Sequence, residues 1–312
     1  MSLFDHKIIV VTGKGGVGKT TVCAALGLLA AERGLRTLIT ETSGARILPG
    51  IFGTRSRGYL PVALAPRLET LSITPLEAIE DYVIQQIKVR KLYELVFRNR
   101  VMSTFIDAVP GLHDAVQLGK VWDCAVQMRG PDGRPRWDLV IVDAPATGHG
   151  LTMLQAPRSM MELTRAGPMY KANAKVDRDI SDPARTRIVL VSLPEEMPVA
   201  ETLDLHRRLG DRCSQLSFCV LNEVHPRPTI TGEEWSRARP ALRQPRDPAI
   251  DEVVGFVDRW MDRVAFQDDA RERLRRGLEI PVVDLPYLVH RALTPADLES
   301  LAHHLVPTVE AA

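Results

Sequence analysis

The chain has 312 residues, 45% of them hydrophobic and 25% charged, an ordinary globular composition that excludes a disordered, collagen-like or fibrous protein. Lys and Arg number 40 against 39 Asp and Glu, an even balance that gives no support for nucleic-acid or polybasic membrane binding. No apolar run reaches the ~18 residues that span a bilayer, so no transmembrane segment is expected. The N-terminus lacks the long apolar core and small-residue cleavage site of a secretory signal. Cysteines at 23, 124, 213 and 219 form no Cys-x-x-Cys, which suits a soluble, cytoplasmic protein without a zinc ribbon.

Taken in chain order, short β-branched runs alternate with helical patterns. Strands are predicted at Lys7–Thr12, Leu35–Thr40, Leu68–Thr74, Asp138–Asp143, Arg187–Leu193, Ser217–Asn222 and Pro281–Leu285. The runs are continuously apolar, as expected of strands covered on both faces. Between the first two, Thr20–Arg33 carries Val22, Leu26, Leu29 and Ala30 at helical spacing, and Gly34 stops it. A second long pattern, Asp251–Gly277, sets Val253, Phe256, Val257, Trp260, Met261 and Val264 on one stripe, predicted to face the core. Two stretches interrupt the rhythm, about 75–127 and 157–182, both read as helical insertions forming a cap. Residues 227–248, rich in Pro and Arg, read as an exposed loop. The expectation is a single α/β domain over 1–312, with a doubly wound, mostly parallel sheet.

The strongest local signal follows the first strand. Gly13-Lys14-Gly15-Gly16-Val17-Gly18-Lys19-Thr20 fits the phosphate-loop pattern Gly-x4-Gly-Lys-Ser/Thr between a strand and a helix. Glycines let main-chain N–H groups wrap an anion, and the helix N-terminus adds partial positive charge. Gly13, Gly15, Gly16, Val17, Gly18, Lys19, Thr20 and Thr21 are therefore candidate ATP contacts. Lys19 is placed to neutralise the β- and γ-phosphates, and the Thr20 hydroxyl to hold Mg2+. Asp143, ending the run Asp138–Asp143, is the candidate second Mg2+ residue. Lys14 is an additional lysine within the loop, read either as a working cation or as a solvated side chain.

The stretch 143–157 (DAPATGHGLTMLQAP), with KGGVGKT before it, resembles the arsenite-pump ATPase family, which includes the targeting ATPase for tail-anchored proteins. The resemblance implies a P-loop NTPase fold and Mg2+-dependent ATP hydrolysis by a dimer coupled to a cargo or partner. It further implies that Lys14 reaches the facing subunit's nucleotide and that 144–149 form a second switch. Asn222 would read adenine, with Pro286 and Tyr287 beside the ring. The alternative readings are a strand-end turn residue for Asn222 and a packing residue at a helix start for His149, while Tyr287 reads equally as a core aromatic.

The chain departs from the family in three places. Relatives carry an aspartate in the first switch that polarises water; aligning Ala45 and Leu48 puts Ser43 there. Serine is no general base near neutral pH, so Glu41, two residues away on the same strand face, is the candidate substitute. Otherwise the chain binds ATP with little intrinsic hydrolysis. The cysteines provide neither an interfacial zinc pair nor a metalloid site, and the methionines are few and scattered. Finally, Pro110–Lys120, 166–168 and 193–202 resemble a bacterial branch in which two paralogous ATPases pair, which raises a heterodimer beside the homodimer.

Overall fold

The computed structural model describes residues 2–87, 109, 111–242, 247–289 and 292–311. Its centre is an eight-stranded sheet in the order β3-β4-β2-β5-β1-β6-β7-β8. The strands are β1 (Ile8–Gly13), β2 (Thr37–Glu41), β3 (Val62–Ala65), β4 (Leu68–Ser72), β5 (Leu139–Asp143), β6 (Thr186–Ser192), β7 (Leu216–Val224) and β8 (Val282–Pro286). All seven predicted strands are present, each shifted by no more than two residues at either end. All neighbouring pairs are parallel except β3 and β4, which form an antiparallel hairpin at the edge. The sequence did not announce β3: it has four residues, is flanked by prolines and carries only one buried side chain. Short proline-flanked edge strands of this kind blunt an otherwise open sheet edge.

Alternate residues of the central strands feed two cores. Ile9, Val11, Ile39, Leu139, Ile141, Val189 and Val220 face helix α1 (Lys19–Glu32). The opposite face of the sheet, with Val10, Leu38, Leu71, Val140, Val142 and Leu190, packs on the helical layer. Helix α1 was expected to show one apolar face. Instead, every residue from Val22 to Ala30 is buried, because the C-terminal helix Pro295–Ala311 lies over it with Leu298, Leu301, Leu305 and Val309. A helix apolar all round is what a position between two layers requires.

The remaining helices, numbered in chain order, are α2 (Ile47–Ile51), α3 (Pro75–Ile87), α4 (Leu112–Trp122), α5 (Thr147–Thr164), α6 (Pro168–Ser181), α7 (Glu196–Leu209), α8 (Gly232–Leu242), α9 (Pro248–Leu278) and α10, the C-terminal helix. Helices α3 and α4 fall in the predicted stretch 75–127, of which residues 88–108 and 110 lie outside the described residues, and α5 and α6 fall across the predicted stretch 157–182; the four pack on one another. Leu118, Val121, Leu151, Met153, Val176 and Ile180 bring this layer onto the sheet. Met160 is buried among Ala115 and Ala156; Met102 and Pro110 lie outside the described residues. Among the described residues no helix is long and apolar enough to cross a membrane.

The fold corrects two expectations. The expected loop at 227–248 contains α8, anchored where the indole of buried Trp235 donates to Asp258 Oδ1 at 2.8 Å. The Pro240 within it and the flanking arginines masked the helical pattern. In α9, the predicted core stripe is not buried: Val253 is 61% and Phe256 56% exposed, and Val257, Trp260, Met261 and Val264 are half-buried. The buried residues are Val254, Gln267, Ala270, Leu274 and Leu278. At 31 residues, α9 is roughly 46 Å long at 1.5 Å per residue. That exceeds the roughly 30 Å of the longest strand, so only its C-terminal half meets the sheet layer.

Candidate active site

The C-terminal ends of β1, β2 and β5 converge on the loop 13–20. Gly13 is paired with Val191 of β6, and a Cβ there would lie 2.1 Å from the Val191 carbonyl oxygen. The close approach of two main chains therefore demands glycine. Gly16 and Gly18 have φ of 83° and 88°, the left-handed region that side chains resist. Gly18 is the N-cap of α1 and no side chain caps the first turn, so its main-chain N–H groups keep their anion-binding capacity. Lys19 is bent back over the loop, its Nζ donating to the carbonyls of Gly13 at 3.1 Å and Lys14 at 2.9 Å. Burial lowers the Lys19 pKa. Thr21, the third residue of α1, stands partly exposed. Val17 is buried in the α1 core. Gly15 faces Ala146, and a Cβ added at Gly15 would make an ordinary 3.7 Å contact with the Ala146 Cβ. That brings the loop against the start of the 144–149 segment; the His149 side chain lies outside the described residues.

Asp143 closes the site from β5. Thr20 Oγ1 donates to Asp143 Oδ2 at 2.6 Å. Burial pushes the Asp143 carboxyl up to about 6, opposed by the Thr20 hydrogen bond and the Lys19 charge and reinforced by Glu41. Glu41 is the direct register partner of Asp143 on β2. A hydroxyl and a carboxylate at the mouth of a phosphate loop suit Mg2+, which takes one or two protein oxygens and completes its shell with phosphates and water. No cluster of three or more His, Cys, Asp or Glu that could hold a metal occurs among the described residues.

A raised carboxyl pKa has a definite consequence for stability. Between its ordinary value near 3.9 and about 6, the unfolded chain ionises Asp143 while the folded chain holds the proton. The stabilising difference is present below pH 4 and is lost as pH rises through 6. In metal-free protein, Asp143→Asn should thus raise stability by about 2–3 kcal/mol at pH 7.5 and leave it unchanged at pH 4. Urea unfolding at the two pH values in EDTA checks this; an equal effect at both would contradict it.

Glu41 proves to be occupied. Its Oε1 accepts from the main-chain N–H groups of Ile47 at 2.6 Å and Leu48 at 3.1 Å, and its Oε2 accepts from Thr70 Oγ1 at 3.3 Å. The side chain is 1% exposed. It holds the first turn of α2 rather than facing water, so the candidate general base is corrected to a structural carboxylate. The expected strand face shared with Ser43 does not form, because β2 ends at Glu41 and the chain folds back so that the Ile47 and Leu48 amides take the carboxylate. Glu41→Ala should cost about 1–3 kcal/mol of stability, from the buried Leu48 amide and the part-buried Ile47 amide left unpaired, as measured by chemical denaturation. A general base would instead show lost turnover at unchanged stability. Ser43 itself is exposed, ahead of left-handed Gly44 and Arg46.

Asn222, buried on β7, donates from Nδ2 to the Val17 carbonyl at 3.0 Å and sits under Gly18. Pro286 ends β8 beside Val224. Tyr287 is 40% exposed and stacks on His225 with ring centroids 4.4 Å apart, a partner with no sequence signal. Lys14 pairs with Glu201 of α7 at 3.0 Å. Thus Lys19, Thr20 and Asp143 are brought together, with Asn222 against the loop. The thiols take no part: Cys23, Cys124 and Cys219 are buried, Cys213 is half-buried, and all four are free. Two contributors escaped sequence reasoning. Thr42 donates from N–H and Oγ1 to the Asp143 carbonyl at 3.4 and 2.7 Å. Gln117 reaches Thr42 from α4.

The anion-transporting ATPase family matches residues 6–171, just over half of the chain. The ATPase BagA of Mycobacterium tuberculosis is 28% identical over 232 residues, covering 70% of this chain and 66% of its own length. An arsenical pump-driving ATPase of Escherichia coli is 27% identical over 256 residues, covering 74% of this chain and 42% of its own. The ATPase ASNA1 homolog of Entamoeba dispar is 27% identical over 259 residues, covering 70% and 77%. The match spans just under two thirds of the mycobacterial protein and under half of the pump ATPase.

Proposed function

Since the chain belongs to the anion-transporting (ArsA-type) ATPase family, we propose that it binds and hydrolyses ATP with Mg2+, as a dimer whose nucleotide state is coupled to a protein cargo or partner. The observation that carries this reading is the Thr20–Asp143 hydrogen bond at the mouth of a loop whose lysine is folded over its own carbonyls. Arrival of the triphosphate gives Lys19 Nζ phosphate oxygens in place of the Gly13 and Lys14 carbonyls, and the α1 amides receive the β-phosphate. Thr20 and Asp143 are the residues that would hold Mg2+, which neutralises phosphate charge. In hydrolysis, water attacks the γ-phosphorus, the bond to the β,γ-bridging oxygen breaks, and ADP and inorganic phosphate leave. Asn222 and Tyr287 line the base side. The test is Mg2+-dependent ATP turnover of the purified chain against Lys19→Ala.

One observation favours a second reading. With Glu41 committed to α2 and Ser43 at the usual aspartate position, the segment 41–48 offers no free carboxylate to polarise water. A paralogous subunit could supply one, making this chain the ATP-binding, regulatory half of a heterodimer. Lys14, now held by Glu201, is the residue to reach across such an interface. Sedimentation with and without ATP separates the readings: a nucleotide-dependent homodimer with full turnover excludes the heterodimer. The free thiols suit the reducing cytoplasm. For the cargo, the helical layer offers a cavity of about 280 Å3 between α3, α4 and α6. Tyr82, Trp122 and Met169 line it, as does Lys120, which is bridged to Asp81 and Asp123.

A further inference from the structure

Gln117 is the polar residue in the otherwise apolar surface that α4 turns to the sheet, beside Leu118 and Val121. It is 4% exposed. A buried amide is unfavourable unless paired, and a leucine would satisfy the packing alone. Its side-chain Nε2 donates to two main-chain carbonyls, Thr42 at 3.0 Å and Ile73 at 2.6 Å. Both lie one residue past the ends of β2 and β4. Thr42 in turn is bonded through N–H and Oγ1 to the Asp143 carbonyl, and the Asp143 carboxylate to Thr20. A continuous chain of hydrogen bonds thus runs from the phosphate loop through β5 and the residue opening the 42–46 segment to α4.

That segment is held at both ends and bare between them. Thr42 fixes one end, and Glu41 fixes the other at Ile47 and Leu48. Residues 43–46 are exposed and include Arg46 at φ 51°, a conformation a non-glycine residue adopts only under constraint. On the far side of α4, Leu112, Val116, Gly119 and Lys120 line the 280 Å3 cavity. Gln117 is therefore the side chain through which a shift at Thr42 meets a helix that shapes the cavity wall.

We propose that Gln117 is a positioning residue that ties the 42–46 segment of the nucleotide site to α4, so that ATP binding is transmitted to the cavity between α3, α4 and α6. The proposal rests on the ATP-binding reading above. The test uses the full chain and the near-isosteric Gln117→Met, which keeps the volume and removes both donors. Three quantities are measured: ATP affinity with a fluorescent analogue, kcat and KM, and amide hydrogen exchange with and without Mg-ATP at 13–21, 42–48 and 112–122.

In the wild type, ATP is expected to slow exchange at all three segments. In Gln117→Met, protection at 13–21 and affinity within about threefold of wild type persist. Protection at 112–122 is lost, and kcat falls roughly tenfold at unchanged KM. Wild-type kcat together with wild-type protection at 112–122 in the variant overturns the proposal. So does a parallel loss of affinity, turnover and melting temperature, which marks a merely structural residue. If the variant does not fold, the wild type decides: ATP protection at 13–21 without any change at 112–122 overturns the coupling. No ATP protection at 13–21 in the wild type is a different result, the failure of the ATP reading itself, and the coupling goes with it.

Discussion

Lys19→Ala should reduce ATP turnover by roughly 10²–10³-fold or more and weaken ATP binding severely, while the folded state survives. The amine sits on the inner side of the loop, where burial lowers its pKa; in the nucleotide-free loop it donates to the carbonyls of Gly13 and Lys14. Removing it takes one donor from the carbonyls of Gly13 and Lys14, a modest loss of stability. The triphosphate loses the cation seated inside the loop, at a place of reduced dielectric where one charge-stabilising donor is worth about 3–4 kcal/mol in a transition state. Steady-state phosphate release and equilibrium binding measure the two effects. Turnover of the variant equal to wild type would show that the measured activity does not come from this site. Equal background in both proteins, with ATP bound by the wild type only, would point to the heterodimer reading, in which the catalytic carboxylate belongs to the partner.

The second large effect is on folding. Gly13→Ala should destabilise the protein by roughly 3 kcal/mol or more, with the phosphate loop displaced and ATP binding lost. The added Cβ would meet the Val191 carbonyl oxygen at 2.1 Å. Both residues are main-chain partners in the sheet interior, so neither can retreat without parting β1 from β6. Gly16→Ala is the control. A Cβ there meets nothing within 4 Å, and the cost is only the left-handed backbone at φ 83°, about 1–2 kcal/mol. Urea denaturation of the two variants should separate them clearly; equal destabilisation would mean that space at Gly13 is not what the position demands.

Both effects act through residues legible in the sequence, and the physical reason is locality. A phosphate loop is built from main-chain conformation over eight consecutive residues, so Gly13 to Thr20 declare it wherever they occur between a strand and a helix. Asp143 was legible for the same reason, as the last residue of the strand Leu139–Asp143. The parallel strands were readable because burial on both faces forces unbroken apolar runs, and their alternation with helices fixed the α/β class.

The tertiary structure decided what depends on residues far apart in the chain. Glu41 looked like a stand-in base by strand alternation, but the amides of Ile47 and Leu48 and the hydroxyl of Thr70 claim its carboxylate. The stripe in α9 had the periodicity of a core face, yet Val253 and Phe256 are exposed, because periodicity shows that a face is apolar and not what lies against it. Gln117 meets Thr42 across 75 residues and Ile73 across 44. Lys14 meets Glu201 only because α7 passes beside the loop. Side-chain partnership of this kind has no local signature: the sequence by itself determined seven of the eight strands, the phosphate loop and the position of Asp143, and the packing of distant segments decided which polar groups remain free to act.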